Sequence, residues 1–308
     1  MSIEVSSTGA LGRHERSYSR IYYNYEQAVT SRNADEFLYD TKDTLTMIDG
    51  QKITRAIVRA VISSEVFNDS FSKEGHLLDH IEAVAPLPTG EYLTYFGNNS
   101  DNRKSSTVDD PQKKIATKNN SLPSGYSLTN GGEINPKKLY ELWRSFEWGK
   151  QGVRDFLGAL ATDKAQSPEN RSMWFSGINN SDGELVSAMM AERLDMPSSI
   201  DTIGRIALVE FTEFATAPHE RGRGLITHIA RNLANSVRDD LNEVPHLIFA
   251  ECNTDSKSDN SAARAGFNIP KITLPNGKIV RQSLEQNVAV DGELRDFRLM
   301  TYLGENQS

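Results

Sequence analysis

Apolar residues recur along most of the chain with a period of two or of about 3.6, and the change of period separates strands from helices. Positions Leu45, Met47, Ile48, Ile53, Ile57, Val58, Ala60, Val61 and Ile62 read as a short strand followed by an amphipathic helix. Residues 81–84 and 92–96 flank the turn-forming run 86–90, the pattern of a hairpin. Residues 126–129 have the composition of a strand. Asn135 is placed to cap a helix with Pro136 at its first position, and Leu139, Leu142 and Trp143 come next on one face. A second helix is expected over 153–161. Residues 173–178 and 185–194 read as strands joined by the turn 179–183, whose sequence is Asn-Asn-Ser-Asp-Gly. A long strand is expected over 206–217. The helix expected over 224–241 carries Ile226, Ile229, Ala230, Leu233 and Val237 on one face. Residues 247–252 form an apolar run of the length of a buried strand. Residues 260–265 close a further helix, and 297–303 form a last strand. No internal repeat is visible.

The stretch from Asn98 to Ser121 breaks this pattern, with Val108, Ile115 and Ala116 its only apolar residues of note. It reads as a polar linker over 99–121. The division expected is a polar leader over 1–17, an N-terminal α/β segment of unassigned role over 18–98, the linker, and a larger domain over 122–308. That count suits 308 residues. A chain starting near Leu122 is then expected to fold by itself. The fold class expected is α/β (α+β): a mixed central sheet flanked by helices, preceded by the smaller N-terminal segment.

Charge narrows the partners. The net charge is −8, with 34 Lys and Arg against 42 Asp and Glu. Nucleic acid is not expected as a partner, because no basic surface is available to displace counterions from phosphate. An acidic surface instead favours small cationic molecules. No run approaches the roughly 18 apolar residues that a membrane-spanning helix needs, and residues 1–17 hold no apolar core of a secretion signal. The expected compartment is the cytoplasm. Cys252 is the single cysteine, so no intrachain disulfide can form. Its apolar setting reads as a buried, inert thiol.

The most informative segment is Phe214-Ala-Thr-Ala-Pro-His-Glu-Arg-Gly-Arg-Gly-Leu225. A strand stops at Pro218, and Arg-Gly-Arg-Gly then opens an amphipathic helix. The first turn of a helix has amides without an intrahelical partner and partial positive charge, so it attracts anions. Gly222 and Gly224 have no Cβ, which lets a phosphate approach the backbone. Arg221 and Arg223 add positive charge at the mouth.

In these residues the chain resembles the GNAT (Gcn5-related N-acetyltransferase) superfamily. The family signature is Arg/Gln-x-x-Gly-x-Gly/Ala after the fourth strand, and the six positions here are residues 219–224. His219 departs from it at the first position. The segment Leu208-Val-Glu-Phe-Thr-Glu-Phe-Ala-Thr-Ala-Pro218 is similar to the family's fourth strand. Residues 247–252 are similar to the family's fifth strand. Residues 260–265 with Gly266-Phe267 are similar to the helix and Gly-Phe pair that come after that strand. The likeness extends over 122–303. Its later part, with Asn253, Ser256 and Asn260, is distantly similar to β-lysine acetyltransferases.

The resemblance implies acetyl-CoA or another acyl-CoA as cofactor. It implies contact with the pantetheine arm at Phe214, Ala215 and Thr216, contact with the pyrophosphate at Arg221, Gly222, Arg223, Gly224 and Leu225, and a further contact at Asn260. It implies an N-acetyltransferase in which an amine attacks a thioester directly. The amine arrives as an ammonium ion and must lose a proton, and the developing oxyanion needs a donor.

Glu210 and Glu213 are the candidate catalytic carboxylates. Strand alternation puts them on opposite faces unless a bulge intervenes, and Glu210 is favoured. The family often has a tyrosine acid four residues before the glycine of Gly-Phe. That position is Ala262, so the role passes to another group such as Tyr302 or to water. His219 and His228 read as a loop and a helix-surface histidine. Trp143, Phe146 and Trp148 lie where the family covers the acceptor, and they are candidate substrate contacts or core. The acceptor expected is the primary amine of a small molecule or amino acid. A protein amine, and acyl-CoA binding without turnover, are the alternatives. A homodimer is compatible with the sequence.

Overall fold

The computed structural model describes residues 20–22, 57–62, 81–97, 121–144, 153–154, 156–158, 171–194, 206–253, 258–273, 277, 279, 282–287 and 294–302. Two sheets carry the fold. The smaller one has strands β1 (Arg20–Tyr22), β2 (Ile57–Ile62), β3 (Ile81–Pro86) and β4 (Tyr92–Gly97) in the order β1-β2-β4-β3. The larger one is mixed, and α-helices pack against it.

Residues 57–62 are a strand and not the amphipathic helix expected there. Four of the six are β-branched (Ile57, Val58, Val61 and Ile62), which suits a pleated surface, and the strand pairs antiparallel along all of β4. The strand expected before it lies outside the described residues. The hairpin is present: β3 and β4 pair antiparallel across a turn closed by a hydrogen bond from the Leu87 amide to the Glu91 carbonyl, 2.8 Å.

The larger sheet contains β5 (Ser127–Asn130), β6 (Met173–Asn179), β7 (Leu185–Leu194), β8 (Ala207–Thr216), β9 (His246–Asn253), β10 (Phe267–Asn268), β11 (Ser283–Asn287) and β12 (Leu294–Tyr302). Their order is β10-β12-β9-β8-β7-β6-β5, with β11 also along β12. Pairing is antiparallel throughout except between β8 and β9. That parallel pair needs a crossover, and helix α2 (Leu225–Leu241) supplies it. Helix α1 (Pro136–Trp143) starts as expected, the Asn135 side chain accepting from the Lys137 amide at 2.9 Å. Helix α3 (Ser258–Ala265) comes after β9, and Val153, Arg154 and residues 156–158 are helical. Strand β11 had no counterpart in the apolar pattern. Its residues Ser-Leu-Glu-Gln-Asn carry a single apolar side chain, and pairing with β12 makes them a strand.

Each face of the large sheet has its own cover. On one, α2 buries Ile229, Leu233, Ala234 and Val237 against Val209, Phe211, Ile248 and Met300. On the other, α1 buries Leu139 and Trp143 against Phe175, Ala188, Met190 and Ala215. Farther along that second face the hairpin takes over: Ala83, Ala85, Leu93 and Tyr95 pack on Leu208, Leu247, Phe249 and Leu299. The free edge of β3 is held as well. The Val84 amide donates to Gln282 Oε1 and Gln282 Nε2 donates to the Val84 carbonyl, both at 2.8 Å, as a strand partner would do. The hairpin therefore shares a hydrophobic core with residues that come after Leu122.

Candidate active site

Strand β8 builds the site through two irregularities. The first is a bulge. Thr212 pairs with Met190 and Ala215 with Ala188, so Glu213 and Phe214 together face the single residue Met189 of β7. The second is a parting. Pairing between β8 and β9 ends at Phe211 and Ala250, although β8 runs on to Thr216 and β9 to Asn253. Beyond that point no strand among the described residues pairs with the β9-side backbone edge of β8. A cavity opens there, lined by Phe211, Phe214, Ile226, Ala250, Ser261 and Phe267, with Glu251, Cys252, Ser258 and Ala262 also on its wall.

The end of β8 is tied to β7. Ser187 Oγ donates to the Ala215 carbonyl at 3.1 Å and lies 2.8 Å from Thr216 Oγ1. A single 3-10 turn, Pro218–Glu220, then leads to Gly222 and Gly224, with φ of 81° and 76°. Both are left-handed, a conformation that costs an L side chain strain. A Cβ at either would meet no protein atom within 4 Å. The space beside the loop is thus open to a ligand, and the Leu225 and Ile226 amides begin α2 without a carbonyl earlier in the helix to bond. The loop and the parted strand fit CoA: an anion site for the pyrophosphate and an unpaired strand edge for the pantetheine amides.

The two arginines are held by the protein. Arg221 Nε donates to the Thr216 carbonyl at 3.3 Å, and Arg223 Nε lies 2.9 Å from Glu220 Oε2. Glu220 is buried and also accepts from the Tyr126 hydroxyl at 2.5 Å. That hydrogen bond raises the pKa of Tyr126, with desolvation adding to it. The Glu220 carboxylate offsets part of the positive charge expected at the mouth. It falls on an unspecified position of the family signature, so its sequence carried no signal. Tyr126 joins it from 94 residues away.

The candidate residues are spread along the cavity, the strand and the core. Phe214 is exposed on the cavity, Ala215 is buried against the α1 cluster, and Thr216 carries the carbonyl that receives Arg221. Asn260 lies in α3 beside the cavity residue Ser261, with its amide bonded to Asp259 Oδ1 at 2.8 Å. Glu210 is 4 % exposed and sits directly opposite Glu192 of β7, itself 6 % exposed. Glu213 occupies the bulge. Trp143 has no exposed surface and packs in the α1 cluster, where it presents no ring face to a ligand. Phe146 and Trp148 lie outside the described residues. The Tyr302 ring packs beside Gly266 and 5.3 Å from the Phe267 ring. The hydroxyls along the cavity near Ala262 are those of Ser258 and Ser261, which the sequence did not single out. Among the described residues no group of His, Cys, Asp and Glu is arranged to hold a metal. No described helix is long and apolar enough to cross a membrane.

His228, on the first turns of α2, has a pKa held below the ordinary value by burial and by the charge of Arg231. Cys252 is buried on the cavity wall, and desolvation pushes its thiol well up, out of the range where a thiolate forms near neutrality. A thiol reagent such as Ellman's is expected to leave native protein unlabelled at pH 8 and to label one thiol per chain after denaturation. Rapid labelling of the folded chain would contradict the burial.

A scan of known protein families finds none that matches the chain, and no curated protein matches it. Solved structures do. A ribosomal-protein-S5-alanine acetyltransferase from Vibrio fischeri matches at 10 % identity and a TM-score of 0.42, over 61 % of this chain and 98 % of its own. A spermidine N-acetyltransferase from Vibrio cholerae, in complex with CoA and spermine, matches at 15 % identity and a TM-score of 0.38, over 58 % and 95 %. Similarity this distant leaves the functional argument to the chain's own residues, and the chain is similar to acetyltransferases of known structure.

Proposed function

We propose that this chain is a GNAT-type N-acyltransferase that moves an acyl group, acetyl first, from acyl-CoA to the primary amine of a small molecule or amino acid, and that it works in the cytoplasm. The observation that carries this reading is the parting of β8 from β9 just before a loop with two left-handed glycines at a helix start. A strand edge and a cluster of free amides then lie in series along one ligand path.

Bound acyl-CoA would supply the activated acyl group as a thioester. The protein's part is binding, orientation and proton handling. Backbone groups of residues 212–216 on the parted edge hold the pantetheine arm. The amides at Leu225 and Ile226, with Gly222 and Gly224 leaving room, hold the pyrophosphate. Phe211, Phe214 and Ile226 exclude water from the arm. Glu210, on the face opposite α2, takes a proton from the incoming ammonium. Ser258 and Ser261 bring hydroxyls to the wall where relatives hold a tyrosine.

Gly222→Val tests the cofactor assignment. Valine is strained at φ 81°, and such strain costs roughly 1–3 kcal/mol. Its side chain would also occupy the open space beside the loop. The affinity for CoA, measured by calorimetry, is expected to fall about 10- to 100-fold with the fold retained. Unchanged affinity would remove the pyrophosphate site from this turn.

Ala262 favours one competing reading, acyl-CoA binding without turnover. CoA release from acetyl-CoA across a panel of small amines and peptides separates the two. Binding with no release over the whole panel would favour the sensor.

A further inference from the structure

The loop suited to an anion contains a buried carboxylate. Glu220 is 8 % exposed and stands two residues before Gly222. A carboxylate beside a phosphate site repels the ligand that the neighbouring amides attract. Its partners show what it does for the loop instead. Glu220 Oε2 lies 2.9 Å from Arg223 Nε, an i,i+3 pair that closes a ring over Gly222. The same oxygen accepts from the Tyr126 hydroxyl at 2.5 Å. The other oxygen, Oε1, lies 3.8 Å from His219 Nε2. Tyr126 packs with Leu122 and Ala217 on the core that α2 shares with the sheet.

Two features give these contacts a consequence for binding. The first is the loop's need to be held. Gly222 and Gly224 are both left-handed, and glycine gives up more freedom on ordering than any other residue. The Glu220 amide bonds the Ala217 carbonyl at 2.9 Å before the glycines, and the Thr227 amide bonds the Gly224 carbonyl at 3.0 Å after them. The Glu220–Arg223 pair spans the gap between these two bonds. A loop ordered before the ligand arrives loses less entropy on binding, so the ligand binds more tightly. The second feature is the anchor. Tyr126 joins the same carboxylate oxygen from 94 residues away and ties the ring to the core. Hydrogen bonds to a carboxylate are the strong kind, and a buried carboxylate is costly to leave unpaired.

We propose that Glu220 and Tyr126 are positioning residues, which hold the glycine loop in its ligand-ready shape without touching the ligand, so that the pyrophosphate of CoA meets amides already in place. This rests on the acyltransferase reading for what the loop binds, but not for the order of the loop itself. Charge and positioning predict opposite signs. A Glu220 that acted through charge alone would repel CoA, so Gln and Ala in its place would tighten binding alike. A Glu220 that holds the loop makes both changes weaken binding. Gln keeps an acceptor oxygen for Tyr126 and Arg223, so it weakens binding less than Ala.

The test uses the full chain and reads CoA affinity by calorimetry. Wild type should bind most tightly, Glu220→Gln next and Glu220→Ala least, the last weaker by about 10-fold or more. Tyr126→Phe removes one hydroxyl and no charge. It should weaken CoA about 3- to 10-fold, the scale of ordering one or two side chains on binding. Made on top of Glu220→Ala it should add little, because the two act through one contact. S-acetyl-pantetheine, which has no phosphate, separates positioning from general damage: Tyr126→Phe should raise the KM for acetyl-CoA and leave that for S-acetyl-pantetheine as in wild type. Hydrogen exchange over residues 218–227, measured without ligand, should be faster in Glu220→Ala. CoA binding as tight as wild type or tighter in folded Glu220→Ala overturns the proposal, as does full additivity of the two changes. Where Glu220→Ala does not fold, Tyr126→Phe decides, and wild-type CoA affinity in it overturns the proposal. Failure of the wild-type chain to bind CoA would overturn the acyltransferase reading instead. Exchange in the ligand-free loop would still decide the positioning, and equal rates in wild type and Glu220→Ala would overturn it.

Discussion

Replacing Glu210 by Gln is expected to lower turnover about 100- to 10,000-fold, the usual cost of removing a positioned base when proton transfer limits the rate. Affinity for acetyl-CoA should stay within about two-fold, because the loop proposed to hold the pyrophosphate begins eleven residues later, at Arg221, and β8 keeps its pairing with β7. The pH dependence should change with the rate. Without the base, only amine that is already neutral in solution can react. A primary alkylamine resembles a lysine side chain, with a pKa near 10.4, so its neutral fraction rises about tenfold per pH unit between pH 7 and 9. The activity of the variant is expected to climb with pH across that whole range, while the wild type levels off earlier. Among the described residues, Glu192 on β7 lies directly opposite Glu210, and Glu251 on β9 shares its face of the sheet by strand alternation. Glu213→Gln serves as the companion variant and should do much less. Wild-type rate and wild-type pH dependence in Glu210→Gln would mean that the proton leaves by another route, and that the assignment of the base is wrong even with CoA bound where proposed.

A chain cut to start at Leu122 is expected to lose stability heavily or to aggregate, despite the polar stretch that precedes Leu122. Removing the hairpin takes Ala83, Ala85, Leu93 and Tyr95 away from Leu208, Leu247, Phe249 and Leu299. Fully burying one large apolar side chain stabilises by about 1.5–3 kcal/mol. Exposing part of four such residues costs on the order of 4 kcal/mol, a large share of the 5–15 kcal/mol of an ordinary domain. The melting temperature should drop by about 10 °C or more for a domain of this size. A chain starting near residue 80 keeps the hairpin, although it loses β1 and β2, and is the control: it should melt clearly above the chain cut at Leu122. Equal melting of the two truncated chains would show that the hairpin adds nothing to the larger sheet. The same comparison bears on activity, since the hairpin cluster borders the patch that holds Glu210.

Elements with local signals follow from the order of the amino acids alone. Asn135 and Pro136 begin a helix wherever they stand, because the cap bonds an amide two residues away. The apolar runs of β6 and β7 on either side of the turn 179–183, the 3.6-residue period of α2, and the strand–Arg-Gly-Arg-Gly–helix order all act within about 20 residues. They were legible for that reason, and the loop's suitability for an anion with them. The misread helix at 57–62 has the opposite cause. A short apolar run fits either period, and its pairing with β4, about 35 residues on, decides it. The rest of the site depends on which strands pack side by side. The bulge at Glu213 and Phe214 exists because β7 offers one residue where β8 offers two. Glu192 meets Glu210 through strand register, Glu220 meets Tyr126 across 94 positions, and Gln282 holds Val84 across 198. No periodicity reports such pairings, since they depend on which strands become neighbours. The same holds for Trp143: an aromatic residue on a helix face can line a pocket or fill a core, and what packs on that face places it in the core.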